Sequence, residues 1–158
     1  MKNKWLIILP ISLFLMSCSS NKNTIKIFLT SQKEVNVKKI KDDYSSFNIE
    51  ASYASTDSYY YPFLYKSCRE QGYQIYVLRD EEYLPSHIED IYQPLDDDIQ
   101  NELNKECEYY QINGVAYGIK LNSGYLINNY LSFEEEHDYY LSITDTSSLV
   151  IDFLKVIL

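Results

Sequence analysis

Few residues of this chain combine the type and the spacing that catalysis demands. Its two histidines, His87 and His137, stand alone, and neither has a second ligand at a spacing that suits a metal. His87 shares a helix face with Asp90 and reads as half of a solvated pair. No Gly-x-Ser-x-Gly elbow is present to activate a serine. Acidic neighbours are plentiful (Asp80-Glu81, Asp96-Asp97-Asp98, Glu134-Glu135-Glu136), but runs of like charge usually face water. The four glycines are not grouped as a phosphate or dinucleotide loop requires. The expectation is therefore a protein without catalytic residues, bound metal or cofactor. Cys68 and Cys107, both on or near helices, would either form a disulfide in an oxidising compartment or remain as two part-buried thiols.

Residues suited to contact are far more common. The chain carries 17 tyrosines, each an apolar ring with one polar tip, fit for cores, interfaces and sugar-stacking surfaces. Tyr59-Tyr60-Tyr61, with Tyr65, could make an aromatic platform. One helix start cannot aim three consecutive rings the same way, so at least one belongs to the core. A formal net charge of −9, more negative still without Lys2 and Lys4, makes nucleic acid and anionic lipid headgroups poor partners. With 158 residues, 46% of them hydrophobic and 15% aromatic, the chain can bury the core of one domain.

The N-terminus has its own signature. Met1-Lys2-Asn3-Lys4 is basic, and the apolar run from Trp5 to Met16 is shorter than the ~20 residues a permanent membrane span needs. Leu15-Met16-Ser17-Cys18 follows, and it resembles the bacterial lipobox, in which the leader is cut before a cysteine that then carries lipid. That resemblance implies residues 1–17 as a lipoprotein signal peptide and 18–23 as the lipidated Cys18 with a polar tether. The folded part would span 24–158, held on the cell membrane by its lipid and facing outside the cytoplasm.

The elements that must position any site follow in order. Thr24 to Leu29 reads as a strand, and a stripe of Val37, Ile40, Tyr44 and Phe47 as a helix. Asn48 to Tyr53 is a second strand. Thr56-Asp57-Ser58 is a capping cluster before a helix from about Tyr60 to Gln71, which Gly72 ends and whose first turn holds Pro62. Gln74 to Leu78 is a third strand. Strand, helix, strand, helix, strand in this order implies a parallel unit with right-handed crossovers, whose ligands bind at the C-terminal strand ends. Further on, a short helix is expected to Ile91 and another from about Asp96 to Cys107, with Ile99 and Leu103 inward. Ile112-Asn113-Gly114-Val115 signals a hairpin, since Asn and Gly both accept positive φ. Asn122-Ser123-Gly124 is a turn leading to a third apolar run. Glu134-Glu135-Glu136-His137-Asp138 reads as a solvated acidic connection, Tyr139 to Ile143 as a last strand, and Ser147 onward as a final helix with Val150, Phe153, Leu154, Ile157 and Leu158 inward.

The order of four pieces resembles the sugar-binding group of extracellular solute-binding proteins of ABC importers, the group that includes maltose-binding protein. They are Gly72 to Asp80, Gln93-Pro94-Leu95-Asp96, Asn113-Gly114-Val115-Ala116-Tyr117-Gly118-Ile119 and Leu126-Ile127-Asn128-Asn129. Two departures accompany the resemblance. Tyr73-Gln74 stands where the family has Pro-Asp, and the short stretch from Leu131 to Asp138 replaces an entire second lobe. The resemblance implies an α/β fold: a single three-layer lobe of the periplasmic-binding-protein type II kind, with a mainly parallel sheet flanked by helices and its second lobe missing. It also implies ligand contacts from Ser31, Gln32, Asp80 and Asn122, with Tyr83 or Tyr125 stacking on a sugar, and an ABC permease as partner. Such a half-site would bind a sugar or other small solute weakly. The alternative is a surface lipoprotein using its single lobe and its tyrosines for protein contacts, or a receptor that has lost its ligand.

Overall fold

The computed structural model of the chain describes residues 23–80, 87–103 and 106–158. Alternating Ile25, Ile27 and Leu29 against Phe28 builds strand β1 (Thr24–Thr30), which is buried on both faces and pairs in parallel with β2 (Asn48–Ala54) along its whole length. Helix α1 (Val37–Asp43) connects them, capped by the Asn36 side chain, which accepts the Lys39 N–H at 3.0 Å. Helix α2 (Tyr61–Glu70) has Pro62 in its first turn, where no backbone N–H is missed, and leads through Gly72 at φ 70° to β3 (Ile75–Arg79). β3 lies on the other side of β1, also parallel, and is buried along its length as a central strand should be.

A 3-10 turn at Ile88–Asp90 and helix α3 (Asp97–Leu103) come next, α3 starting where the Asp96 carboxylate accepts the Ile99 N–H. Asn113 and Gly114 join β4 (Tyr109–Ile112) to β5 (Val115–Lys120), at φ 52° and 81°, the signs a two-residue hairpin needs. Tyr110 pairs with Gly118 and Gln111 with Ala116, so Tyr117 is the extra residue of a bulge. After a 3-10 turn at Leu126–Tyr130 the chain forms β6 (Tyr139–Ile143) and helix α4 (Ser148–Ile157).

The described residues form a single mixed α/β domain with four helices and a six-stranded open sheet in the order β2-β1-β3-β6-β5-β4. The expected mainly parallel sheet is corrected here. Only the β1–β2 and β1–β3 pairings are parallel, whereas β3–β6, β5–β6 and β4–β5 are antiparallel. The reason is the path of the connection. Residues 121–138, between β5 and β6, are long enough for a crossover but stay at the sheet edge where β5 ends, bonded there to Gln32 and Asp80, so β6 must run back.

Helices cover both faces. On one face α1, α3 and α4 pack Ile40, Ile99, Leu103, Val150, Phe153 and Leu154 over Ile25, Ile27, Ile75, Val77 and Leu141. Each such side chain, fully buried, contributes about 1.5–3 kcal/mol. On the other face α2 sets Tyr61 and Cys68 against Phe28, Tyr76, Leu78 and Tyr92. Cys68 and Cys107 are both free thiols. They belong to opposite faces, Cys68 in the second core and Cys107 packed on the first, with the sheet between them, so the disulfide reading is corrected. Among the described residues no helix is long and apolar enough to cross a membrane.

Candidate functional site

The C-terminal ends of β1, β2 and β3 meet at one edge of the sheet, where a parallel α/β unit offers a ligand crevice. That crevice is crossed by the chain itself. Residues 131–138, between the second 3-10 turn and β6, run over the three strand ends as a strap. At β1, the Gln32 N–H donates to the Ser132 carbonyl at 2.7 Å, and the Ser132 N–H donates to Ser31 Oγ at 3.0 Å. At β2, the Thr56 hydroxyl donates to the Glu134 carboxylate. At β3, Arg79 donates to Glu134 at 2.6 Å, His137 Nδ1 lies 2.8 Å from the Asp80 carboxylate, and the Asp80 N–H donates to the Asp138 carbonyl. His137 Nε2 stands 3.6 Å from Glu134, so the imidazole sits between two carboxylates.

Several expectations change at this edge. The acidic connection was expected to be solvated, but Glu134 and His137 keep only 20% and 28% of their side-chain surface. Arg79, 5% exposed, is what draws Glu134 inward. Phe133 stacks on Tyr139 with ring centroids 4.2 Å apart, fixing the middle of the strap. Burial pushes the Tyr139 hydroxyl up from its ordinary pKa, although the neighbouring Glu134 N–H acts against that. Glu135 and Glu136 remain exposed.

Of the expected ligand contacts, Ser31, Gln32 and Asp80 do come together. Ser31 is wholly buried and bonded to Ser132, Asp80 is half-buried and engaged by His137, and Gln32 is exposed. Gln32, Asp57, Phe133 and Glu134-Glu135-Glu136 line a shallow open depression. Asn122 stands elsewhere and makes a turn, its side chain accepting the Gly124 N–H at 3.0 Å and its carbonyl bonded by the Asn128 amide. Tyr125 was expected to stack on a sugar. It is instead 6% exposed, with its hydroxyl 3.4 Å from Cys107 Sγ, because its ring completes the first core. Tyr83 and Cys18 lie outside the described residues.

The Ser31 hydroxyl is committed to the Ser132 backbone, and burial pushes the Cys68 thiol up, away from thiolate. Among the described residues no group of three or more His, Cys, Asp or Glu side chains is placed to hold a metal. What the edge presents is an imidazole held between two carboxylates and a buried guanidinium, all engaged with one another.

Sequence reasoning missed two things. In the sequence His137 reads as isolated, and the only hint of its role there is its spacing of three from Glu134. Phe63 and Leu64 were not joined to the tyrosine run, yet with Tyr59 and Tyr60 they form an exposed cluster. Tyr61 is the ring of that run that turns into the core, its hydroxyl 3.2 Å from Thr30 Oγ1. Comparison of the chain with protein-family models, with curated proteins and with solved structures gave no match.

Proposed function

We propose that this chain is a lipid-anchored extracytoplasmic protein that acts by binding, without catalysis, and that it contacts a macromolecule rather than an enclosed small solute. The anchor rests on Leu15-Met16-Ser17-Cys18 behind a basic start and a short apolar run. The observation that carries the choice of partner is the strap, since Ser132, Glu134 and His137 satisfy the polar groups that a small ligand would otherwise meet. A ligand entering the crevice would have to break these bonds first, and buried charge-assisted bonds are costly to break. A second reading, a sugar-binding lobe serving an ABC permease, is favoured by Gln32 and Phe133 side by side in the open depression.

A thermal-shift panel of sugars and small solutes separates the two. Ligand at ~100 times its Kd adds about 2.7 kcal/mol of stability, a shift easily seen. A silent panel is expected. A sugar that raises Tm in the natural chain and not in Gln32→Ala would bring the second reading forward. Incorporation of labelled palmitate, lost in Cys18→Ala, tests the anchor.

A further inference from the structure

The described surface has four exposed large apolar side chains within six consecutive residues: Tyr59 at 81%, Tyr60 at 66%, Phe63 at 63% and Leu64 at 39%. The other exposed large apolar residues, Val115, Leu126 and Val156, are separated in sequence. Scattered apolar residues are ordinary, whereas a cluster of aromatics marks a contact surface. Packing of α2 does not require this cluster. That helix is held by Tyr61, by Cys68 and by Tyr65, whose hydroxyl is 2.8 Å from that of Tyr92. The cluster is also preorganised. Tyr59 and Tyr60 pack edge to face at 5.7 Å, and Tyr59 lies 6.4 Å from Phe63. The Ser58 hydroxyl accepts the Tyr60 N–H, and the Tyr61 N–H donates to the Ser58 carbonyl, so the backbone beneath the rings is fixed.

Charge names the occupant. Asp57, two residues before Tyr59, shares the adjoining depression with Glu134, Glu135 and Glu136. Of the cations in this region, Arg79 is turned to Glu134, Lys33 on the β1 loop is adjoined by Glu34, and the exposed Lys66 of α2 is paired with Glu70. An acidic rim beside aromatic rings repels anionic bilayers and nucleic acid. It equally repels a second copy of a chain whose net charge is −9. It favours Lys and Arg, whose stems lie along rings and whose heads reach carboxylates. We propose that Tyr59, Tyr60 and Phe63, with Asp57, Glu135 and Glu136, dock a basic segment of a partner protein that also carries apolar side chains. The inference rests on the reading of the chain as a macromolecule-binding protein and supplies the surface and the partner's chemistry.

The test uses the full chain in nanodiscs of zwitterionic lipid and a labelled peptide of roughly 12 residues alternating Lys or Arg with Leu. Anisotropy is expected to report binding that weakens from about 0.05 M to about 0.3 M salt, as exposed charge pairs do. Tyr59→Ala with Phe63→Ala, and separately Glu135→Gln with Glu136→Gln, should each weaken it about tenfold or more. All four residues are exposed, so melting curves of both variants should match the natural chain. Peptide affinity unchanged in both variants, or equal affinity for a peptide with Glu in place of the cations, overturns the proposal. Protection of the amides of residues 59–64 by lipid alone, read by hydrogen exchange, would give the cluster to the bilayer and overturn it as well. With a silent sugar panel, such failures sink this surface only. A stabilising sugar sinks the underlying reading instead.

Discussion

Arg79 and Glu134 are 55 residues apart in sequence and 2.6 Å apart in the fold, with the guanidinium almost wholly buried at the end of β3. A buried charge is tolerable only with a close opposite charge and full hydrogen bonding. This pair therefore ties the strap to the sheet more firmly than the exposed pairs of the surface, such as Lys66 with Glu70 at 3.9 Å.

Glu134→Ala should cost about 3 kcal/mol, because it removes the near carboxylate from a buried guanidinium. Arg79→Met with Glu134→Leu should recover most of that loss, since neither charge is then desolvated. Urea unfolding measures both, and hydrogen exchange of residues 131–138 should speed up in Glu134→Ala while β1 amides stay protected. A double variant no more stable than Glu134→Ala would mean that the loss comes from the other partners of Glu134, Thr56 and His137, rather than from an uncompensated guanidinium.

That bond also shows where sequence reasoning stops. The first three strands and their two helices were legible, because Ile25, Ile27 and Leu29 alternate locally and Gly72 and Pro62 punctuate locally. The Asn113-Gly114 hairpin was legible for the same reason. The inward turn of Glu134 was not, since three consecutive glutamates read as solvated whatever their surroundings, and Arg79 lies far off in sequence. The direction of β6 was missed because it depends on where residues 121–138 run, and they are held at one sheet edge by bonds to Gln32 and Asp80, distant in sequence. Ser31, Gln32 and Asp80 were placed together by topology alone. Tyr125 was misplaced because a tyrosine after a turn looks the same whether its ring meets solvent or Cys107. The departure at Tyr73-Gln74 has a structural role. The Gln74 amide accepts the Lys26 N–H and donates to Asp145, joining β1 to the entry of α4.

Gly118 marks a tight crossing between strands. A Cβ there would lie 3.1 Å from Ser142 Oγ and 3.3 Å from Tyr140 Cβ, so Gly118→Ala should destabilise by about 1–2 kcal/mol. Ser142 is wholly buried and its hydroxyl has no hydrogen-bond partner among the described residues, so Ser142→Ala should be neutral or stabilising by up to about 1 kcal/mol. The two changes should not be additive, because the second removes the atom that the first strikes. A double-mutant cycle by chemical denaturation measures this, and strict additivity would argue against the contact.

The tyrosine-rich second core should fail in alkali. Burial pushes the Tyr92 hydroxyl well above the ordinary value of 10.0, and it does the same at Tyr76, whose hydroxyl has no hydrogen-bond partner among the described residues. A pKa raised on folding means that the unfolded chain loses its proton first. The contribution is therefore complete below pH 10 and declines as pH rises toward the folded-state values. Thermal midpoints should hold up to about pH 9 and fall steeply above about pH 10. Tyr76→Phe should shallow that fall at little or no cost near neutral pH. Tyr92→Phe should shallow it as well, at a cost of about 1 kcal/mol for the lost bond to Tyr65. Alkaline melting curves unchanged in both variants would place the sensitivity elsewhere.

Asp145 should govern the acid side at the start of α4. Burial alone would raise its pKa, but the Gln74 amide and the Ser147 N–H and hydroxyl donate to its carboxylate and together hold it below the usual 3.8. A pKa lowered on folding means that protons bind the unfolded chain first as pH falls. The contribution is thus present above about pH 4 and lost as pH drops through the folded-state value. Asp145→Asn removes the ionisable group while keeping the amide near Ser147 and Gln74. It should lower stability at neutral pH and leave a flatter stability profile below pH 4 than the natural chain shows. Urea midpoints collected between pH 2 and pH 7 read the difference between the two curves. If the difference stayed constant across that range, the carboxylate would be acting by its shape in the turn rather than by its charge.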